Sequence, residues 1–371
     1  MTEQAPTEAE LIAHGVYDPS QPNAAERLEL IRYLSSIGAT LEDMIEFREE
    51  LPALGTVVAA RPGRPQYTSD EIVAKTGMSN EFLTRLWRAA GFPSFASGVV
   101  AFSETDLEML QLISGARALF GEDAVMQLTR VIGSSLAKIA DAVVSAFLVN
   151  IEVPIVEQDP VGIAIARANV AAVALLPGLS QAMDVLLRHH ILAGRRSLRA
   201  LQETGAAGFE VQDLAVGFVD LVGSTALTQQ LPAGELGRAL SEFETKVADA
   251  VVTVRGRVVK LIGDEVMFVA PDIALACEIA LEVTDTFAAH PVLPPVRAGI
   301  AAGEVLTRDG DYFGSVVNLA ARLVKAAEPG MVTVPDTARP ALEAAGFRCE
   351  PAGTHALKGI EPEVSLIAVS R

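Results

Sequence analysis

An all-α N-terminal half followed by an α+β C-terminal half is the fold class the sequence predicts, and three observations carry that reading. From about Ala24 to Leu201 apolar residues recur at three- and four-residue spacing, as in "ERLELIRYLSSIG", "TLEDMIEFREEL" and "ETDLEMLQLISGARALFG", which is the period of helices with a buried face. Past Gly205 the pattern changes to β-branched runs separated by helical stretches. Between the two, "RHHILAGRRSLRALQETGAAGFE" turns basic and then rich in small residues, a connecting helix that runs into a hinge. These changes divide the chain into a helical domain over 1–190, a linker helix and hinge over 191–210, and a second domain over 211–371.

Taken in order, the C-terminal elements are the strand "LAVGFVD", the helix "GELGRALSEFETKVADAVVT", the hairpin "GRVVKLIGDEVMFVA", the helix "IALACEIALEVTDTFAAH", the strand "PVRAGIAAGEV", the helix "VVNLAARLVKAA" and the strand "GMVTVP". In the hairpin two apolar runs flank "IGDE", so Gly263 and Asp264 form a tight turn between antiparallel strands. In the N-terminal half, Glu122 to Ile151 carries apolar residues on nearly every face, the pattern of a helix buried between other helices or in a dimer. The windows "VVSAFLVNIEVPIV" and "VGIAIARANVAAVALLPGL" fall short of about 18 uninterrupted apolar residues. They are expected to be buried helices, and no transmembrane segment is expected.

A chain of 371 residues can bury more than one core, and with half its residues hydrophobic and a fifth charged it is globular. Its net charge of −18 repels phosphate backbones and anionic membrane surfaces, so nucleic acid is a disfavoured partner. The two cysteines, Cys277 and Cys349, have no metal-ligand spacing, and "MTEQAPTEAE" lacks the basic and apolar regions of a signal peptide. A reducing cytoplasm is the expected location.

The strand ending in "GFVDLVGST" raises a question of charge, because a buried carboxylate without a partner costs several kcal/mol. Asp220 is therefore either an exposed strand end or part of a site that supplies positive charge. If its strand pairs beside the hairpin, Asp220 and Asp264 converge and can hold two divalent cations, Mg²⁺ or Mn²⁺, suited to phosphoryl transfer. The plain alternative is a strand end and a turn-forming Asp. Gly223, Ser224 and Thr225 can then open a helix with free N–H groups aimed at an anion, and a simple helix cap explains them equally well.

Four segments in order, "FVDLVGST", "KLIGDEVMF", "DYFGSVVNLAAR" and "LKG", resemble the catalytic domain of class III nucleotidyl cyclases. The resemblance covers roughly the last 160 residues and implies a ferredoxin-like, palm-type βαββαβ core that makes 3′,5′-cyclic AMP and pyrophosphate from ATP. It implies Asp220 and Asp264 as metal ligands and Lys260 with Asp311 as the base-selecting pair. It gives Asn318 and Arg322 to the transition state and Lys358 to the terminal phosphates. A Lys ammonium and a carboxylate complement adenine's N1 acceptor and N6 donor, whereas guanine presents the opposite polarity. The spacing from Asn318 to Arg322 puts both on one helical face. In this family the acids lie on one subunit and the base-selecting and transition-state residues on its partner, which implies a homodimer with two equivalent sites. One departure stands out: "GIAAGEV" has Glu304 where some members carry a basic residue, leaving more of the phosphate charge to Lys358.

In the other half, "YTSDEIVAKTGMSNEFLTRLWRAAGFPS" resembles the helix-turn-helix of MerR-type regulators. Its charges are balanced, with Asp70, Glu71 and Glu81 against Lys75, Arg85 and Arg88, so a scaffold module is expected rather than a DNA reader. His189 and His190 sit beside Arg188, Arg195 and Arg196 just ahead of the catalytic domain. Protonation there would add charge to a basic helix, and similarity to the pH-sensing actinobacterial cyclases implies control of this kind. Uncoupled surface histidines are the alternative. The apolar surplus of this half also admits a lipid-like ligand, with plain core packing as the simpler explanation. Two rival functions stay open: a diguanylate cyclase-like enzyme, since "GDEVMF" is similar to that family's signature, and a transcription regulator whose cyclase domain only senses nucleotide.

Overall fold

The computed structural model describes residues 5–156, 159, 161–203, 211–224, 229 and 231–371, the side chains of 195–203 and Ala233 excepted. It divides into two compact units, Met1–Leu192 and Ala193–Arg371.

The first unit opens with α1 (Glu8–Ala13), α2 (Ala24–Ser36), α3 (Leu41–Glu46) and α4 (Leu51–Ala60). A helix-turn-helix follows, α5 (Ser69–Thr76) and α6 (Asn80–Ala89), enclosed by a short ribbon of β1 (Tyr67–Thr68) and β2 (Val100–Phe102). Then come α7 (Glu104–Phe120), α8 (Glu122–Phe147), a π-helical stretch (Leu148–Glu152), α9 (Val153–Val156), α10 (Ile163–Val173) and α11 (Leu176–Glu203). Thr7, Thr40, Thr68 and Ser103 each begin a helix with an acid three residues on, so both partners of a capping box satisfy N–H groups that the helix leaves free. One core gathers Leu30, Leu34, Met44 and Leu54 against Ala166 of α10, and a second gathers Ile72, Phe82, Leu86, Phe102 and Leu110 against the first turn of α8.

Beyond Met126, α8 has little of this core to lie on. Val144, Val149 and Val153 are exposed, as are Leu186, Leu187 and Ile191 of α11. The first of the two apolar windows expected to be buried is thus open within the chain, whereas the second is buried only in its first half, at Val161, Ile165, Ala166 and Asn169. The π-helical stretch loosens the hydrogen-bond ladder just ahead of Pro154, so the helix continues where the proline would otherwise have stopped it. Glu122–Val156 and Ile163–Gly194 are consequently long and apolar enough to cross a membrane by length and composition, which separate reading of the windows did not anticipate.

In the second unit the order is β3 (Val211–Leu221), α12 (Ala233–Thr253), β4 (Arg257–Ile262), β5 (Glu265–Ala270), α13 (Ile273–Phe287), β6 (Val296–Arg308), β7 (Asp311–Phe313), α14 (Ser315–Ala326), β8 (Val332–Pro335), α15 (Arg339–Ala344), β9 (Arg348–His355) and β10 (Val364–Ser370). The sheet runs β4-β5-β3-β6-β8-β10-β9, with β7 paired to β6. Among the described residues only β6 and β8 pair in parallel. The first six of these elements make the expected βαββαβ core.

β3 fixes which face each residue serves. Ala215, Val219 and Leu221 join Phe243 of α12 and Ile279 and Phe287 of α13 on one side. Val216 and Phe218 join Met267 of β5 and Leu323 and Val324 of α14 on the other. By the same period of two, Asp220 falls on the α14 side. α14 lies hard against β6 there: a Cβ on Gly299 would stand 2.0 Å from the Val324 nitrogen, so only glycine admits this approach.

Candidate active site

Asp220 is the last residue but one of β3, opposite Glu265 of β5 and Arg297 of β6. Its side chain is 4% exposed, so the carboxylate needs compensating charge and finds two cations. Arg297 donates to Oδ2 from Nε at 2.9 Å and from Nη2 at 2.7 Å, and the Lys325 ammonium stands 3.4 Å from Oδ1. Lys325 also donates to Glu265 at 2.6 Å. Burial draws the Lys325 ammonium down, but Glu265 and Asp220 together outweigh it and hold it above its ordinary value.

Asp264 follows Gly263, whose φ of 67° makes the turn between β4 and β5. The Leu221 N–H donates to the Asp264 carbonyl at 3.2 Å, which sets the turn beside the end of β3. The Ser224 hydroxyl donates to the Asp264 carboxylate, so this serine is bound to the acid rather than held only for an anion. Gly223 has a left-handed backbone at φ 76°; Thr225 lies outside the described residues.

A second cluster forms where the β6–β7 hairpin meets β4. Lys260 donates to Asp311 at 2.6 Å, the Tyr312 N–H donates to the same carboxyl at 2.8 Å, and Arg257 lies over the Tyr312 ring. Burial pushes the Asp311 carboxyl up, yet the Lys260 ammonium, the Tyr312 N–H and Arg257 outweigh it and hold it below the ordinary carboxylate value. A third cluster lies on α14, where Asn318 and Arg322 are exposed and Arg322 Nε donates to the Lys358 carbonyl at 3.3 Å. Among the described residues no hydrogen bond or ion pair joins one of the predicted pairs to another.

Three residues escaped the sequence reading: Arg297, Lys325 and Glu265. Their signal was the opening "PVR", a cation entering an apolar strand, and an ammonium at the seventh position after Asn318 on the same helical face. Glu304, by contrast, is exposed and opposite Asp213, seven residues along β6 from Arg297. The cation nearest the acids is therefore supplied from the start of β6 rather than after it. The donors here, the Asp220 and Asp264 carboxylates, are hard oxygens and fit Mg²⁺ or Mn²⁺. Among the described residues no group of three or more acid, His or Cys side chains adds to them.

In the first unit His189 and His190 are exposed on α11, directly after Arg188 of the Asp184–Arg188 ion pair. The bases of the helix-turn-helix are already engaged: Arg85 pairs with Glu122 at 3.0 Å and Arg88 donates to Ser94 at 3.1 Å.

Residues 209–368 match the model of the adenylate and guanylate cyclase catalytic domain, and residues 10–192 match that of the adenylate cyclase regulatory domain. An uncharacterised protein of Mycobacterium tuberculosis is 35% identical over 315 residues, 84% of this chain and 82% of that one. An adenylate cyclase of Streptomyces coelicolor is 36% identical over 276 residues, 74% and 70% of the two chains. A pH-sensitive adenylate cyclase of Mycobacterium tuberculosis is 31% identical over 374 residues, 94% and 88% of the two. With both domain models matched and such relatives aligned across the boundary between the units, the chain belongs to the class III adenylate cyclases that carry an adenylate cyclase regulatory domain.

Proposed function

We propose that the protein converts ATP to 3′,5′-cyclic AMP and pyrophosphate at the interface of a homodimer, with Asp220 and Asp264 holding two divalent cations. The observation that carries this reading is the buried Asp220 carboxylate set beside the Asp264 turn with its charge met by the Arg297 and Lys325 side chains. When bound, the cations activate the ribose 3′ hydroxyl and neutralise phosphate charge. Lys260 and Asp311 take the adenine edge. Asn318 positions the ribose while Arg322 meets the charge that develops on the α phosphate as the 3′ oxygen attacks and pyrophosphate leaves. Lys358 takes the terminal phosphates, and Arg297 would supply a guanidinium on the same side.

Two features favour the dimer. Asn318 and Arg322 face solvent on their own chain, and the apolar Leu261, Ile262 and Phe313 beside the site are exposed. In the regulatory half, the exposed apolar faces of α8 and α11 offer further surface for a second copy. The engaged Arg85 and Arg88 favour a scaffold role for the helix-turn-helix over DNA binding. Protonation of His189 and His190 is proposed to bias the regulatory half, a reading supported by the pH-sensitive relative. Replacing both should flatten the activity ratio between about pH 6 and about pH 8; an unchanged ratio refutes their role. The test of the chemistry is radiolabelled ATP turnover by the full chain with Mg²⁺ or Mn²⁺. Cyclic AMP should form, GTP should be a poor substrate, and Asp264→Ala should lower product formation by about 10³-fold. Product formation at close to the parent rate after this change overturns the reading.

A further inference from the structure

Lys325 is placed where no motif required a cation. It stands three residues after Arg322 and seven after Asn318, on the face of α14 that carries both. Its ammonium reaches past α14 to two strands, at 2.6 Å from Glu265 of β5 and 3.4 Å from Asp220 of β3. Its backbone is tied down as well: the Lys325 carbonyl accepts from Arg297 Nη1 at 3.4 Å, and the helix is pressed onto β6 at Gly299. The end of α14 is thus anchored to both neighbours of Asp220 by bonds that a plain surface lysine does not make.

We propose that Lys325 is a positioning residue that fastens the helix bearing Asn318 and Arg322 to the strand bearing Asp220, making the metal end and the transition-state helix of one chain a single rigid body. This rests on the dimer reading above, in which those two parts of one chain serve different sites. The consequence is specific. In each chain Lys325 has one role toward the site that uses its Asp220 and another toward the site that uses its Asn318 and Arg322. It sets the charge seen by the first and the reach of the second.

A complementation experiment separates these roles. Full-length Asp220→Ala chains are mixed with full-length Arg322→Ala chains, so that each heterodimer has one intact site, with Asp220 from one chain and Arg322 from the other. Lys325→Met is then added to one chain or the other. Loss of Asp220 leaves the shorter bond to Glu265 in place, so the tether survives in the Asp220→Ala chain. Cyclic AMP formation should fall about tenfold, in kcat more than in KM, with Lys325→Met on either chain, and Lys325→Arg should restore most of it. A fall on one chain alone, or on neither, overturns the proposal. A parent mixture without activity overturns the dimer reading, and this proposal with it. Mn²⁺ binding without nucleotide, followed by the spin resonance of the free ion, gives a readout apart from turnover. Removing the ammonium beside Asp220 should tighten Mn²⁺ binding about threefold or more even as turnover falls. Unchanged or weakened binding overturns the proposal.

Discussion

The two acidic ends of the catalytic unit solve the same problem in opposite ways. At the end of β3 the Asp220 side chain is 4% exposed and shared between Arg297 and Lys325. At the β6–β7 hairpin the Asp311 side chain is 34% exposed and paired with Lys260. A buried acid with two cations on it is poised to exchange one positive partner for another, since its charge must be met at every stage. A half-open pair in solvent gains little from its own attraction. What it offers is a donor and an acceptor in fixed order, which suits reading a base edge. On the proposed function, the first end serves charge and the second discrimination.

Breaking the buried end should cost most. Asp220→Ala or Asp264→Ala is expected to lower cyclic AMP formation by about 10³-fold, the upper end for loss of a preorganised electrostatic group, measured as kcat with saturating Mn²⁺. A loss below about tenfold would remove the distinction between the two ends. Arg322→Ala should follow, with a fall of about 10²-fold carried by kcat and a KM little changed, because its partner charge develops only in the transition state.

The open end should answer in selectivity rather than speed. Lys260→Glu presents an acceptor where adenine needs a donor, at a penalty of about 1 to 3 kcal/mol for the unmet bond. The ATP to GTP ratio of kcat/KM should therefore drop by about 5- to 150-fold. A preserved ratio with a lower rate would place Lys260 in the chemistry instead.

How far the sequence revealed this contrast depends on the distance over which each signal acts. The hairpin tip at Gly263 and Asp264 was legible because turn chemistry is local, and the sheet side of Asp220 follows from the alternation of Val216 and Phe218. Lys260 and Asp311 were named by their motifs, but their bond comes from a hairpin folding onto β4, 51 residues away. Arg297 and Lys325 were missed because their partner lies 77 residues from one of them and in another element from both, so nothing short of strand register could pair them. In the regulatory half the helical period was plain, whereas the exposure of Val149 and Val153 was not, because hydropathy records what a side chain prefers and not whether a neighbour arrives to cover it.

The smallest effect is the stability of the open pair. The Asp311 carboxyl is held below its unfolded value, so its contribution is complete above the ordinary carboxylate range near pH 4 and is lost as pH falls through the depressed folded value. Both partners are more than a third exposed, so solvent screens the pair and its worth is about 0 to 1 kcal/mol. Lys260→Met should therefore lower the melting temperature of the full chain by at most about 2 to 4 °C at pH 7. The gap should shrink with added salt and close as pH falls through the depressed folded value, below which Asp311 is protonated in both states. A gap that persists in acid would mean that Lys260 stabilises the hairpin through the packing of its methylene stem, and the open end would then be an anchor as well as a reader.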